Sequence, residues 1–325
     1  MTRKKVLIIG GTGFIGSKLS NFFSSNNYLV HTIDIFSNHI VESIFSDYHS
    51  SIRNFRYNTL LKKSKIHLID ARNLFELYDS IKIIKPDIVI NLAALPIASA
   101  SSIKSQETFS SILTTTTNTI ECLRRLNFKG RFCYFSSSMV YGNFVYDNIK
   151  EDAPTNPLSI YGAVKLAGEN LVKGFCNNYN IDYTIIRPSA VYGLTDTNSR
   201  VVELFLSNAF QNKKIIVKGS KSKIDFTFLD DLVSGVFLAC TNKNGINNTF
   251  NITRSEARTL KDLSDLLSKY FSELNIKFEK NEKNVPKRGS LNIDKAKKLL
   301  GYKPKFSLEK GFDLYYNFLK TIYDK

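Results

Sequence analysis

Tyr161 and Lys165 stand four positions apart in SIYGAVK, residues 159 to 165. On a helix that spacing puts both side chains on one face, so a phenol and an ammonium can share a cleft. A phenol with a pKa near 10 is a poor base at neutral pH. At roughly 4 Å and an effective dielectric near 20, an ammonium stabilises a phenolate by about 4 kcal/mol, enough to bring the phenol toward a working range. A third group must hold a substrate hydroxyl beside the phenol. Serines 136 to 138 in RFCYFSSSMVYG offer it at the end of a predicted strand.

A second cluster precedes these residues. GGTGFIG, residues 10 to 16, follows the apolar run VLII and opens a helical stretch. The spacing of Gly10, Gly13 and Gly16 suits a tight turn, close approach of a pyrophosphate to the backbone, and close packing of helix on strand. Phe14, Ile15 and Gly16 then form the helix N-terminus, whose amides and partial positive charge favour phosphates. VHTIDIF places Asp34 at the end of the second strand, 18 residues beyond Gly16. A carboxylate there accepts both ribose hydroxyls of NAD and repels the extra phosphate of NADP. The combination predicts NAD as the cofactor.

The elements that must position these groups alternate. KKVLIIG, YLVHTIDIF, KIHLID, PDIVINLAA, GRFCYFSSS and DYTIIRPS read as strands separated by amphipathic stretches, a pattern that implies a parallel sheet with helices on both faces. The predicted fold is α/β, a Rossmann-type doubly wound parallel sheet with a smaller C-terminal substrate-binding lobe. Residues 1–186 are expected to form the NAD-binding domain, with a return segment near 225–245, and residues 187–325 the substrate lobe. The polar stretch between Phe36 and Lys65 reads as a surface insertion, residues 277 to 288 as lysine-rich loops, and TTTT at 114 to 117 as incidental to a helix.

Composition excludes several alternatives. The chain has 325 residues, 43% hydrophobic, and its apolar runs are too short to span a membrane. The N-terminal run stops at glycines without a small-residue cleavage site, so it reads as a first strand and the protein as cytosolic. The formal charge of +16 is spread along the chain in basic runs of two or three residues, with no nucleic-acid motif; small phosphorylated substrates suit it better. Cys122, Cys133, Cys176 and Cys240 lack metal-ligand spacing, as do the four histidines, and no metal site is expected.

With these residues in view, the chain resembles the extended short-chain dehydrogenase/reductase family, in its nucleotide-sugar epimerase and dehydratase branch. The resemblance rests on ordered blocks along nearly the whole chain: GGTGFIG, DAR at 70 to 72, NLAA at 91 to 94, FSSSMVYG at 135 to 142, YGAVKLAGE at 161 to 169, RPSAVYG at 187 to 193, DFTFLDD at 225 to 231 and LNIDKAKKLLGYKPKFSLEKG at 291 to 311. It implies that Asp70 and Ala71 contact the adenine and that Leu92, Ala93 and Ala94 line the ribose and pyrophosphate. It makes Tyr161 the general base and Lys165 its tuner and a ligand of the nicotinamide ribose. Pro188 and Ser189 become neighbours of the nicotinamide, Ser137 the catalytic hydroxyl, and Ser138 a substrate contact, as is Ser189.

Two departures narrow the chemistry that the resemblance implies. Dehydratases carry an acidic pair after the catalytic hydroxyl, because a proton must leave the sugar carbon; here those positions are Ser138 and Met139. The arginine usual before DFTFLDD is replaced by Ile224, with Lys223 preceding it, so Arg288 in VPKRGS is the candidate for the nucleotide diphosphate. The expected activity is a nucleotide-sugar 4-epimerase, with a 4-dehydrogenase or 4-ketoreductase as the alternative, and a non-catalytic dinucleotide sensor as a third reading that the intact Ser137, Tyr161 and Lys165 oppose. The resemblance further implies a homodimer that pairs through helix 103 to 127 and the Tyr161 helix.

Overall fold

The apolar runs become a sheet because each alternates side chains between two buried faces. In the first strand Val6 and Ile8 point to one core and Leu7 and Ile9 to the other. The computed structural model describes residues 3–36, 47–95, 104–281 and 285–324. In chain order the elements are β1 (Lys5–Ile9), α1 (Phe14–Ser25), β2 (Leu29–Asp34), α2 (Asp47–Phe55), β3 (Ser64–Leu68), α3 (Leu74–Ile84), β4 (Ile88–Asn91), α4 (Ser105–Phe109), α5 (Thr115–Arg125), β5 (Arg131–Phe135), α6 (Ile160–Tyr179) and β6 (Asp182–Arg187). They continue through β7 (Val191–Tyr192), α7 (Val201–Phe210), β8 (Ile215–Lys218), β9 (Lys223–Asp225), β10 (Thr227–Phe228), α8 (Leu229–Thr241), β11 (Asn248–Asn251), β12 (Ala257–Thr259), α9 (Leu260–Leu267), β13 (Ile276–Glu279), α10 (Asp294–Leu300) and α11 (Leu308–Tyr323).

Seven strands form the large sheet in the order β11-β6-β5-β4-β1-β2-β3, all pairs parallel. The order reverses between β1 and β4, and a crevice opens beyond the carboxyl ends of the strands at such a point. β11 arrives from well beyond residue 187. The chain leaves the sheet after β6, builds part of the smaller lobe, and returns through α8 and β11. Lys18 of α1 holds Asp230 of α8 at 2.8 Å, joining the returning helix to the first. The smaller lobe carries three two-stranded pairings, β7 with β10, β8 with β13 and β9 with β12. Its core mixes aliphatic residues with buried Tyr192, Phe205, Phe226, Phe228, Phe312 and Tyr315. No described helix is long and apolar enough to cross a membrane.

Several local expectations change. Residues 47–60, expected as part of a surface insertion, form α2 and a following π-turn (Arg56–Leu60). Tyr48 and Ile52 of α2 bury in the core of the smaller lobe, and the Tyr48 ring stacks on Tyr323 at 5.3 Å. The segment looks polar because its exposed face is polar, while the buried residues recur at a helical interval. Residues 277 to 279, expected as loop, lie in β13, where pairing with β8 overrides the lysines. The helix expected over 103 to 127 is α4, a π-turn (Ser110–Thr114) and α5; residue 103 lies outside the described residues. The threonine run has a structural part: Thr116 is buried and accepts from Asn91 Nδ2 at 3.2 Å, and the Thr115 hydroxyl bonds back to Ser111 O at 2.6 Å.

Candidate functional site

The turn after β1 fits a dinucleotide. Gly10 has φ of +78°, and a Cβ there would come within 3.1 Å of Ala93 N, so a side chain would both strain the turn and close it. A Cβ on Gly16 would collide with the carbonyl of Gly10 and stand 2.7 Å from Gly11 Cα. α1 begins at Phe14 with no side-chain cap and no acidic residue in its first turn, leaving its amides for an anion. At the end of β2, Asp34 accepts from Thr12 N and from Phe36 N, each at 3.0 Å, which fixes the carboxylate facing the turn. These features suit a pyrophosphate and a ribose diol.

One cavity of about 1150 Å³ joins this turn to the other candidates. A drug-sized ligand occupies a pocket of roughly 300–1,000 Å³, so this space accommodates a dinucleotide with a second ligand. All the residues named for cofactor binding line it, as do Ser137, Ser138 and Arg288. Ser189 does not: it is buried and lines no part of the cavity, whereas Pro188 and Ala190 do. Ile224 lines the wall too, while Lys223 lies outside and pairs loosely with Asp147 at 3.9 Å.

Local chemistry places the catalytic candidates. Ser159 caps α6 by accepting from Gly162 N at 3.1 Å, which starts the helix one residue before Tyr161. Lys165 follows one turn later, almost wholly buried, and its Nζ donates to Phe135 O at 2.6 Å. Ser137 caps the short helical turn 138–141 through Met139 N, which points its hydroxyl region into the cavity wall. Ser136 instead donates to Glu169, which is also bound by Arg187 at 2.7 Å in a buried pair. That pair anchors α6 against β6.

The electrostatics differ from the sequence argument in one respect. The spacing makes Lys165 the group that lowers the phenol pKa. In the structure burial holds Tyr161 above its ordinary value, and the cation that opposes this is Arg200. Burial also pulls Lys165 down to about 7, with Glu169 acting against the shift. Arg200 was not singled out by sequence; its signal is a lone arginine just ahead of the apolar run VVELFLSNAF. It stands at the head of α7, paired with Asp196 at 3.1 Å and 5.3 Å over the Phe14 ring. Arg288 reaches Met139 Sδ at 4.0 Å, and burial depresses its pKa. Residues of the α2 segment, His49, Arg53, Arg56 and Tyr57, also face the cavity, and sequence reading missed them.

Comparison with known proteins shows the family and the fold. The family described as NAD dependent epimerase/dehydratase matches residues 6–253. A UDP-glucuronate 4-epimerase of Arabidopsis thaliana is 27% identical over 98% of this chain and 77% of its own. A dTDP-glucose 4,6-dehydratase of Haemophilus influenzae is 26% identical over 94% of this chain and 95% of its own. Among solved structures, the UDP-glucuronic acid 4-epimerase of Bacillus cereus, in complex with UDP-glucuronic acid and NAD, superposes with a TM-score of 0.88. It is 27% identical, over 98% of this chain and 99% of that one. With the glycine turn, Asp34 and the Tyr161 helix placed around one cavity, the chain belongs to the NAD dependent epimerase/dehydratase family, as an enzyme that uses NAD.

Proposed function

We propose that the protein is a nucleotide-sugar 4-epimerase acting in the cytosol on a nucleoside-diphosphate hexose or hexuronate. The observation that carries this reading is that Ser137, Tyr161 and Lys165 line one cavity, with the non-acidic Ser138 and Met139 as the two residues after Ser137. Bound NAD supplies reversible hydride acceptance at the sugar C4. Tyr161 takes the proton from the C4 hydroxyl and gives it back, Ser137 orients that hydroxyl, Lys165 stands beside the phenol as a ligand of the nicotinamide ribose, and Arg200 supplies the positive charge. Ser138 and Met139 cannot carry a proton from C5, so dehydration has no base at this place. Arg288 binds the diphosphate.

The cofactor-side roles divide in the same way. The glycine turn and α1 hold the pyrophosphate, Asp34 the adenosine ribose, and Asp70 with Ala71 the adenine edge. Asp70 is held by Arg72 at 2.6 Å, and this partner keeps its carboxyl below the usual range. We further place the substrate lobe after residue 187, with the α8 and β11 segment returned to the NAD-binding lobe, and the homodimer contact on the α4–α5 stretch and α6. Exposed Phe109 and Leu171 on these helices support that surface.

The test is incubation with UDP-glucuronic acid, UDP-glucose, dTDP-glucose and GDP-mannose, one at a time, with products resolved by NMR and nicotinamide absorbance followed in parallel. A C4 epimer without net NADH supports the reading. Keto-sugar accumulating in step with NADH replaces it with a 4-dehydrogenase.

A further inference from the structure

The loop between β7 and α7 is held in a conformation that its own residues disfavour. Thr195 has φ of +73° and Ser199 φ of +51°. A β-branched residue in the left-handed region is a genuine outlier, and such strain persists only where surrounding contacts over-determine it. Those contacts come largely from outside the loop. Arg56, buried in the π-turn after α2, donates from Nε to Thr195 O at 3.2 Å and from Nη2 to the same oxygen, and Nη2 also donates to Thr197 Oγ1 at 3.0 Å. The Tyr48 and Tyr315 hydroxyls both donate to Asp196 O, at 3.2 and 3.3 Å. Asp196 itself is fully buried and takes the Arg200 guanidinium on both oxygens. The chain of contacts therefore runs from Arg56 through a strained loop to the cation at the cavity.

We propose that Arg56 is a positioning residue for catalysis: by clamping Thr195 and Thr197 it fixes the loop that presents Arg200, over the Phe14 ring, to the cavity that Tyr161 also lines. The guanidinium fork suits this task, because two nitrogens reach one carbonyl and a third contact reaches the hydroxyl, a geometry that a lysine cannot reproduce. The segment over 47–60 thereby has two attachments. Its aromatic residues seat it on the smaller lobe, and its arginine sets the active-site loop. The inference deepens the proposed reaction, since it names what holds the cation that acts on the general base.

The test reads the Tyr161 phenol directly and needs no sugar. Ultraviolet difference titration of the parent against its Tyr161→Phe variant gives the midpoint of this one tyrosine, and the same pair is prepared on Arg56→Met and on Arg200→Met backgrounds. Both backgrounds are expected to raise the midpoint by roughly half a unit or more. Arg56→Met is expected to add nothing further once Arg200 is gone. An unmoved midpoint in Arg56→Met, or in Arg200→Met, overturns the proposal, and so does an Arg56→Met shift that persists in full without Arg200. If Arg56→Met does not fold, Arg56→Lys is judged by the same outcomes, since it keeps the charge and loses the fork. Failure of every sugar to turn over would remove the proposed reaction and leave this titration intact, so the two readings fail separately.

Discussion

Lys165 Nζ lies 5.7 Å from the centre of the Tyr161 ring while giving a 2.6 Å hydrogen bond to the carbonyl of Phe135. The lysine is thus tied to the end of β5 and stands over the phenol ring without a hydrogen bond to its hydroxyl among the described contacts.

Removing the phenol hydroxyl should separate binding from chemistry. Tyr161→Phe is expected to lower kcat by roughly 10²–10⁴, the span of general acid-base contributions, with NAD affinity changed less than about threefold. Steady-state turnover and calorimetric NAD titration check both. Unchanged turnover would take Tyr161 out of the reaction.

Two buried groups give the stability opposite slopes with pH. Lys165 falls from 10.5 to about 7 on folding, so between those values the unfolded chain holds a proton that the native chain lacks, and stability from this group rises with pH. Glu203 rises from 4.5 to about 8 through burial and the nearby Asp196, so the native chain holds the extra proton and stability falls across that window. Urea unfolding from pH 5 to 9.5 should show Lys165→Met losing stability less than the parent at low pH, and Glu203→Gln losing less than the parent as pH rises toward 8. Parallel curves for parent and variant would refute either assignment.

The helix start tolerates no side chain at Gly16. The atoms a methyl group would meet are the backbone of Gly10 and Gly11, which cannot rotate away. Gly16→Ala is expected to cost about 1–3 kcal/mol in stability and to weaken NAD binding tenfold or more, because the turn must open to accommodate it. Denaturant unfolding and NAD titration on the same sample measure both losses. NAD bound at parental strength would mean that the turn does not hold the pyrophosphate.

The Glu169 and Arg187 pair lies behind the catalytic helix with neither side chain more than 4% exposed. Arg187→Met leaves a buried carboxylate short of its main partner and is expected to destabilise by about 3–5 kcal/mol. Adding Glu169→Gln should recover part of that loss. Thermal unfolding of the single and double variants decides it, and an additive double variant would show that the two residues do not depend on each other.

How far the sequence discloses the molecule depends on the range of the contact. The glycine turn, Asp34 and the Tyr161 helix are legible because each is specified within about twenty residues, by a turn requirement, a strand end or a helical interval. α2 is not, because what makes it helical is the core of the other lobe: Tyr48 meets Tyr323, 275 residues away, and no local pattern encodes a partner at that distance. Ser189 lies beside the cavity without lining it, since a motif position gives proximity to the cavity but not the direction of a side chain in the bend that follows β6. Arg56 and Arg200 are single cations in a chain with many, and only the fold distinguishes them from the solvated majority.

β11 completes the large sheet from residues 248–251. During synthesis the ribosome therefore delivers β6 long before the strand that covers its edge, and a nascent chain ending near residue 187 exposes an unpaired row of backbone donors and acceptors on an apolar strand. The order of elements makes the half-made enzyme a stickier object than the finished one. Chaperone contact should then concentrate in the interval between the two strands.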